Sequence, residues 1–226
     1  MAILTVISAS ELVRRILDGE RNFASSQIAA GSGDLAGAEG YAEMNAYLLN
    51  QDLRESPIDA TGVDWPGIQA PGLYFLGSRM AGANLSGANL AGADLRRVDL
   101  TGGQLQEAQL TGTVFNQGRY IGADFTGATM CGSDFYEANF SKARLTNVDL
   151  AGAYTLRSNL TEADFTGSQL TKATFYRSDL RGAIGLESAR DLGTCEFKHT
   201  VVTSRERDVI VKAIDALPRF DVRLTA

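Results

Sequence analysis

Between Ser78 and Ala183 large apolar residues recur at every fifth position. The 21 positions from Met80 to Leu180 carry eleven Leu, six Phe, two Met, one Tyr and one Thr, so Thr155 alone is polar. Two residues earlier, from Ser78 to Ser178, the same count of positions holds only Ala, Ser, Gly, Val and Thr. On an α-helix a step of five turns the side chain by about 140° and scatters these residues over every side, and on a flat strand an odd step alternates them between faces. Neither structure buries them together. The chain must therefore turn once per five residues, aiming each large side chain at a common axis, with the small residue two before it where the walls come close.

The glycines and prolines agree with a coil of short strands and turns. Gly87, Gly92, Gly112, Gly122, Gly127, Gly132, Gly152, Gly167 and Gly182 all follow a large position by two residues, where corners fall, and no proline interrupts 78–183 to remove a donor from the stack. The triplets Ala83-Asn84-Leu85, Ala88-Asn89-Leu90, Ala93-Asp94-Leu95, Ala123-Asp124-Phe125 and Ala163-Asp164-Phe165 follow the pattern A(D/N)LXX. In this the chain resembles the pentapeptide-repeat family. The resemblance implies an all-β solenoid, a right-handed quadrilateral β-helix with four pentapeptides per coil, here expected to carry short capping α-helices at the N- and C-termini.

Four segments are expected. Residues 1–19 form a capping helix, with Ser8-Ala9-Ser10-Glu11 as its capping box and Leu12, Val13, Ile16 and Leu17 on one face. Residues 20–75 are irregular coils with insertions: Phe23, Ile28 and Leu35 read as early repeats, residues 40–50 as a helical excursion, and fives return at Leu48, Leu53, Ile58, Val63, Ile68 and Leu73 before a two-residue shift into the register of Phe75 and Met80. Residues 76–185 are the regular β-helix. Residues 186–226 are the C-terminal cap, with a helix about 204–217 that begins at the capping box Thr203-Ser204-Arg205-Glu206, presents Val209, Ile210, Ala213, Ile214 and Leu217, and stops at Pro218. Repeat stacks need such caps. That helix, or the strand-like 220–224 after it, is also the candidate element for a homodimer, as the family resemblance implies for some members. At residue 155, either Thr155 or Leu156 points inward.

With four pentapeptides per coil, residues twenty apart stack on one wall about 4.8 Å apart. One wall, with Ala91, Thr111, Cys131, Ala151 and Thr171, is flat and featureless. Its neighbour carries Tyr136, Tyr154, Leu156, Arg157, Tyr176 and Arg177 in its last three coils, with Arg96 and Arg97 earlier. Tyr and Arg are enriched where binding energy concentrates, which makes these six residues the candidate partner-binding wall; stacked tyrosines that merely stabilise the wall are the other reading.

Composition narrows the function. The formal charge is −6, and all of it lies in residues 1–75, where ten acids meet four bases; 76–185 holds ten of each and 186–226 seven of each. A chain that neutralises phosphates is not expected, so no direct nucleic-acid binding is predicted. Family resemblance also brings in the quinolone-resistance proteins, which imitate duplex DNA and bind DNA gyrase, but a neutral regular region with arginines on one wall imitates phosphates poorly. No run of about 18 apolar residues suggests a membrane span, and 1–10 lacks the basic start and long apolar core of a secretory signal, so a cytoplasmic chain is expected. Cys131, Cys195 and His199 are too few for a disulfide framework or a metal site, and the Cys195–His199 spacing alone is a weak pair. The glycines at 31, 33 and 37 lack the Lys-Ser/Thr ending of a phosphate loop. The reading is a non-enzymatic protein-interaction scaffold with no catalytic residues, cofactor or metal and with a protein partner of unknown identity; the alternative is a DNA mimic that binds gyrase or topoisomerase.

Overall fold

In the computed structural model, residues 5–214 are described in full and 221–224 as backbone. Parallel bridges join residues twenty apart on four successive sides of each coil: Asn84 to Gln104, Asn89 to Gln109, Asp94 to Val114 and Asp99 to Arg119, continuing up the stack. Each bridge is a pair of backbone bonds, such as Gln104 N–H to Ala83 O (2.8 Å) and Leu85 N–H to Gln104 O (2.7 Å). Every side is thus a very short strand closed by a turn, and the chain is a β-solenoid with four sides per coil.

The fivefold residues fill the interior. Phe115 and Phe135 stack at 5.1 Å, Phe175 and Phe197 at 5.1 Å, and Thr155 sits between these pairs on the same side of the coil. Thr155 is 4% exposed, so it and not Leu156 is the inward residue, and no bulge forms. Its hydroxyl donates to Thr174 O (3.0 Å), a polar bond where neighbouring coils place a ring, and the interior beside it keeps an apolar void of about 10 Å3. Tyr120 is also fully buried; its phenol donates to Leu95 O (2.8 Å), and the adjoining small position is Gly118, where any Cβ would collide with that ring. Small-position hydroxyls are satisfied by carbonyls one coil back, as in Thr113 to Leu90 O (2.9 Å) and Ser133 to Leu110 O (2.8 Å). Ser78 is buried without a partner among the described residues, because one coil before it the chain has left the regular path.

The expected shift of register before Phe75 does not occur. Asp59, Asp64, Gln69 and Tyr74 bridge Arg79, Asn84, Asn89 and Asp94 in the same register as the rest. The sequence pattern misleads here because volumes trade places: Ile58, Val63, Ile68 and Leu73 occupy the position elsewhere held by Ala or Ser, and the facing large positions are Ala60, Trp65, Ala70 and Phe75, all buried. Ile58 with Ala60 and Ile68 with Ala70 keep the summed volume near that of an Ala and Leu pair, which close packing requires. Trp65 needs room and a partner, and donates its indole N–H to buried Ser26 (3.1 Å).

The ends follow from capping. β1 (Thr5–Ile7) pairs in parallel with β2 (Ser26–Ile28), and α1 (Ala9–Leu17) lies over the first coil with Leu12, Val13 and Ile16 buried. Ser8 accepts from Glu11 N–H (3.1 Å) as the N-cap, whereas Leu17, expected on the same face, is exposed. The first coil supplies three regular sides, bridging Asn22 to Asp59, Gln27 to Asp64 and Asp34 to Gln69. Its fourth side is replaced by α2 (Tyr41–Leu49), whose Asn45 side-chain Oδ1 accepts the Tyr74 N–H (3.0 Å) in place of a strand. Leu48 and Leu53, expected as repeat positions, are buried as part of α2 and of the turn after it.

At the other end β3 (Tyr154–Leu156), β4 (Thr174–Tyr176), β5 (Glu196–Val202) and β6 (Asp221–Leu224) form one parallel sheet in that order. Two 3-10 turns, Leu186–Ser188 and Leu192–Thr194, absorb the extra residues that lengthen the Thr174 to Glu196 step to 22. α3 (Ser204–Ile214) packs on these turns with Ile210 buried, and Glu206 accepts the Thr203 N–H (2.7 Å), completing its capping box. The rest of the expected helix, with Leu217 and Pro218, and the start of the expected strand at Phe220 lie outside the described residues.

Candidate functional site

The geometry brings Tyr136, Leu156 and Tyr176 into one column. Each follows an inward residue by one, and β3 aligns Leu156 directly with Tyr176 on β4. Tyr154, 41% exposed, stands beside the column, one residue before the inward Thr155. Tyr136, Leu156 and Tyr176 are half-buried, so each offers one flank to solvent. Arg177 lies over the Tyr176 ring at 5.2 Å, and His199 meets the other part of that ring edge-on at 5.8 Å. All six expected wall residues therefore share one face, and that face begins where α2 ends and finishes at β5.

The corner beside this column has an unusual composition. Corner residues sit in the left-handed region, and on each of the other three edges glycine fills three or four of the regular corners, for example Gly92, Gly112, Gly132 and Gly152. On the Tyr/Arg wall, Gly77 is followed by Arg97, Gln117, Glu137, Arg157 and Arg177, all with φ between 53° and 59°. A side chain there costs about 1 kcal/mol relative to glycine. Four of the five are tied into a ladder: Arg97 Nε donates to Gln117 (2.9 Å), Gln117 Nε2 to Glu137 (3.1 Å), and Arg157 meets Glu137 at 3.4 Å. The Gln117 amide, then Tyr136 and Arg157, hold the Glu137 carboxyl below its ordinary range. Exposed contacts of this kind contribute roughly 0–1 kcal/mol each, so the ladder does not clearly repay five strained corners.

Sequence reasoning found the column but missed what borders it. The turn after α2 brings Leu49, 61% exposed, and Arg54 against Leu76, Arg96 and Arg97, enclosing a cleft of about 430 Å3 at the N-terminal end of the wall. Arg54 and Arg96 each grip the aspartate two residues earlier, Asp52 at 3.0 Å and Asp94 at 2.5 Å, and these bonds raise both guanidinium pKa values. The Asp-x-Arg spacing at 52–54 and 94–96 was the available signal; the path of the 50–57 turn was not.

The thiols offer little chemistry. Cys195 is buried, donates to Leu170 O (3.0 Å), and is pushed up to about 12 by burial; Cys131, on the flat wall, is pushed up to about 11 by burial and the nearby Asp149. Both are thiols at neutral pH, and a thiol is a poor nucleophile. Among the described residues no three His, Cys, Asp or Glu side chains converge as a metal would need, and no helix is long and apolar enough to cross a membrane.

Comparison with known proteins identifies the coil. The family model for pentapeptide repeats matches eight copies, over residues 78–117, 121–152 and 143–184. The regular coils of this chain, residues 78–184, therefore match the pentapeptide-repeat model. No curated protein matches it in sequence. Among solved structures it is similar to HetL of Nostoc sp. strain PCC 7120, a pentapeptide repeat protein involved in heterocyst differentiation regulation, at 23% identity over 87% of this chain and 88% of that one, with a TM-score of 0.44. It is also similar to a trypsin-treated form of QnrB1, a plasmid-mediated fluoroquinolone resistance protein, at 18% identity over 74% of this chain and 82% of that one, with a TM-score of 0.50. At such identity the second likeness speaks for the fold alone.

Proposed function

We propose that this chain is a non-enzymatic, cytoplasmic protein-interaction scaffold, a right-handed quadrilateral β-helix whose Tyr/Arg wall engages a protein partner. The observation that carries the reading is the column Tyr136, Leu156 and Tyr176, with Tyr154 and the arginines of one strained edge beside it. Half-buried aromatic rings held by the coil backbone lose little side-chain freedom on binding, and arginine supplies directional donors around them, the combination that concentrates binding energy. The facing charges do not favour DNA mimicry of the kind that engages gyrase: Arg96, Arg97, Arg157 and Arg177 stand where phosphate-like acids would be required. Purified protein that neither inhibits gyrase supercoiling nor protects gyrase from a quinolone is the expected result there.

The wall is tested by replacing Tyr136, Tyr154 and Tyr176 together with serine. These side chains lie outside the core, so the variant keeps its coil fold by circular dichroism and loses the proteins that wild type captures from a native lysate. Unchanged capture by a folded variant refutes the wall.

A further inference from the structure

The cleft between the α2 turn and the wall, and the edge that leads away from it, share a feature the scaffold reading does not use. Arg97 at one end of the edge and Arg177 at the other have no carboxylate partner among the described residues: Arg97 bonds only Gln117 through Nε, and Arg177 lies on the Tyr176 ring. Both occupy left-handed corners where glycine costs less, and both project next to apolar surface, Leu49 and Leu76 for Arg97 and Tyr176 for Arg177. Between them the edge is balanced by the Glu137 to Arg157 contact, and Asp134 stands on the same face. Four coils separate the two free guanidinium groups, about 19 Å at 4.8 Å per coil, the reach of about six residues of extended chain.

We propose that this edge binds an extended segment of a protein partner that carries carboxylates about six residues apart with aliphatic or aromatic side chains between them. One carboxylate enters the cleft against Arg97, with its neighbouring apolar residue on Leu49 and Leu76; the intervening apolar side chains lie on Tyr136, Leu156 and Tyr176; the second carboxylate pairs with Arg177. Guanidinium and carboxylate form directional charge-assisted pairs, and the apolar column supplies the rest of the contact. A nucleic-acid strand fits less well, because continuous phosphates would meet Asp134 and Glu137 midway, whereas a peptide places a neutral residue there. The inference rests on the Tyr/Arg wall being the interaction face and adds the chemistry of what it takes.

Fluorescence polarisation of the full chain with fluorescein-labelled Glu-Leu-Gly-Leu-Gly-Leu-Glu and its Gln-for-Glu counterpart tests it. The Glu peptide is expected to bind about tenfold more tightly than the Gln peptide, with the difference shrinking as salt rises. Arg97→Gly and Arg177→Gly each reduce the preference and together abolish it, while their melting temperatures stay at or above wild type because glycine suits both corners. Equal affinity for the two peptides, no binding of the Glu peptide, a preference that survives the double glycine variant, or an equally tight single-stranded DNA of matched length overturns the proposal. The serine variant of the three tyrosines separates this from the wall itself. Lysate capture lost on serine substitution with no Glu preference removes the carboxylate chemistry alone, and capture that survives serine substitution removes the wall.

Discussion

At the scale of single residues, the interior is governed by paired volumes rather than by one position. Gly118 and Tyr120 show the rule most sharply, since a Cβ at 118 has no room beside the Tyr120 ring and the phenol is committed to Leu95 O. Gly118→Ala is therefore expected to cost about 2–3 kcal/mol by overpacking, measured by urea unfolding. In a Tyr120→Leu background, with the ring gone, the same change is expected to cost well under half as much; equal costs in the two backgrounds would show that the pair is not coupled. The same rule explains what the sequence concealed around Trp65. Five-residue periodicity is visible wherever one position is large and its partner small, and it remains legible when one letter changes, as at Thr155. It becomes ambiguous where both positions are large, as in Val63 with Trp65, or where the large one moves to the other position, as in Ile58 with Ala60. Periodicity reports which residues point inward, whereas register needs the bridges.

At the scale of elements, the columns running along the solenoid are its units of stability. Phe115, Phe135, Phe175 and Phe197 stack on one side with Thr155 interrupting them, its hydroxyl bonded to Thr174 O and a small void at its side. Thr155→Leu gives up the hydroxyl's bonds to Thr174 O and to Ser178, whose own hydroxyl keeps Thr155 O, but adds apolar volume to a cavity that has space for part of it, and it is expected to raise stability by about 1 kcal/mol. A lower melting temperature for Thr155→Leu than for wild type would mean that the void is already closed by the flanking rings. The helices were legible as well, because α1 and α3 begin at capping boxes that need only local geometry: Ser8 with Glu11, and Thr203 with Glu206. What was not legible is where a helix lands. α2 takes the place of a strand opposite Tyr74 through one Asn45 contact, and the turn after it walls the cleft beside Arg97. Nothing in the composition of residues 50–57 sets that path, since it depends on contacts with residues more than twenty positions away.

At the scale of the whole molecule, a four-sided rod presents four chemically separate faces, and this chain makes them unequal. One face is small and flat, with Cys131 among alanines and threonines; the Tyr/Arg face carries a stacked apolar column, an edge without glycine from Arg97 to Arg177, and a bordering cleft. The column could be listed from the sequence once twenty-residue stacking was assumed, and the structure adds that its members share a face from α2 to β5. The account's central claim is that this face, and not another, is covered by a partner. Covalent footprinting in native lysate tests it most directly, by comparing tyrosine acylation and lysine acetylation of the chain in buffer and in lysate, residue by residue, by mass spectrometry. The account predicts that labelling of Tyr136, Tyr154 and Tyr176 falls in lysate while Lys142 and Lys172, on other edges, label as they do in buffer. Tyrosine labelling that is the same in lysate and buffer, or protection centred on Lys142 and Lys172 instead, would contradict it.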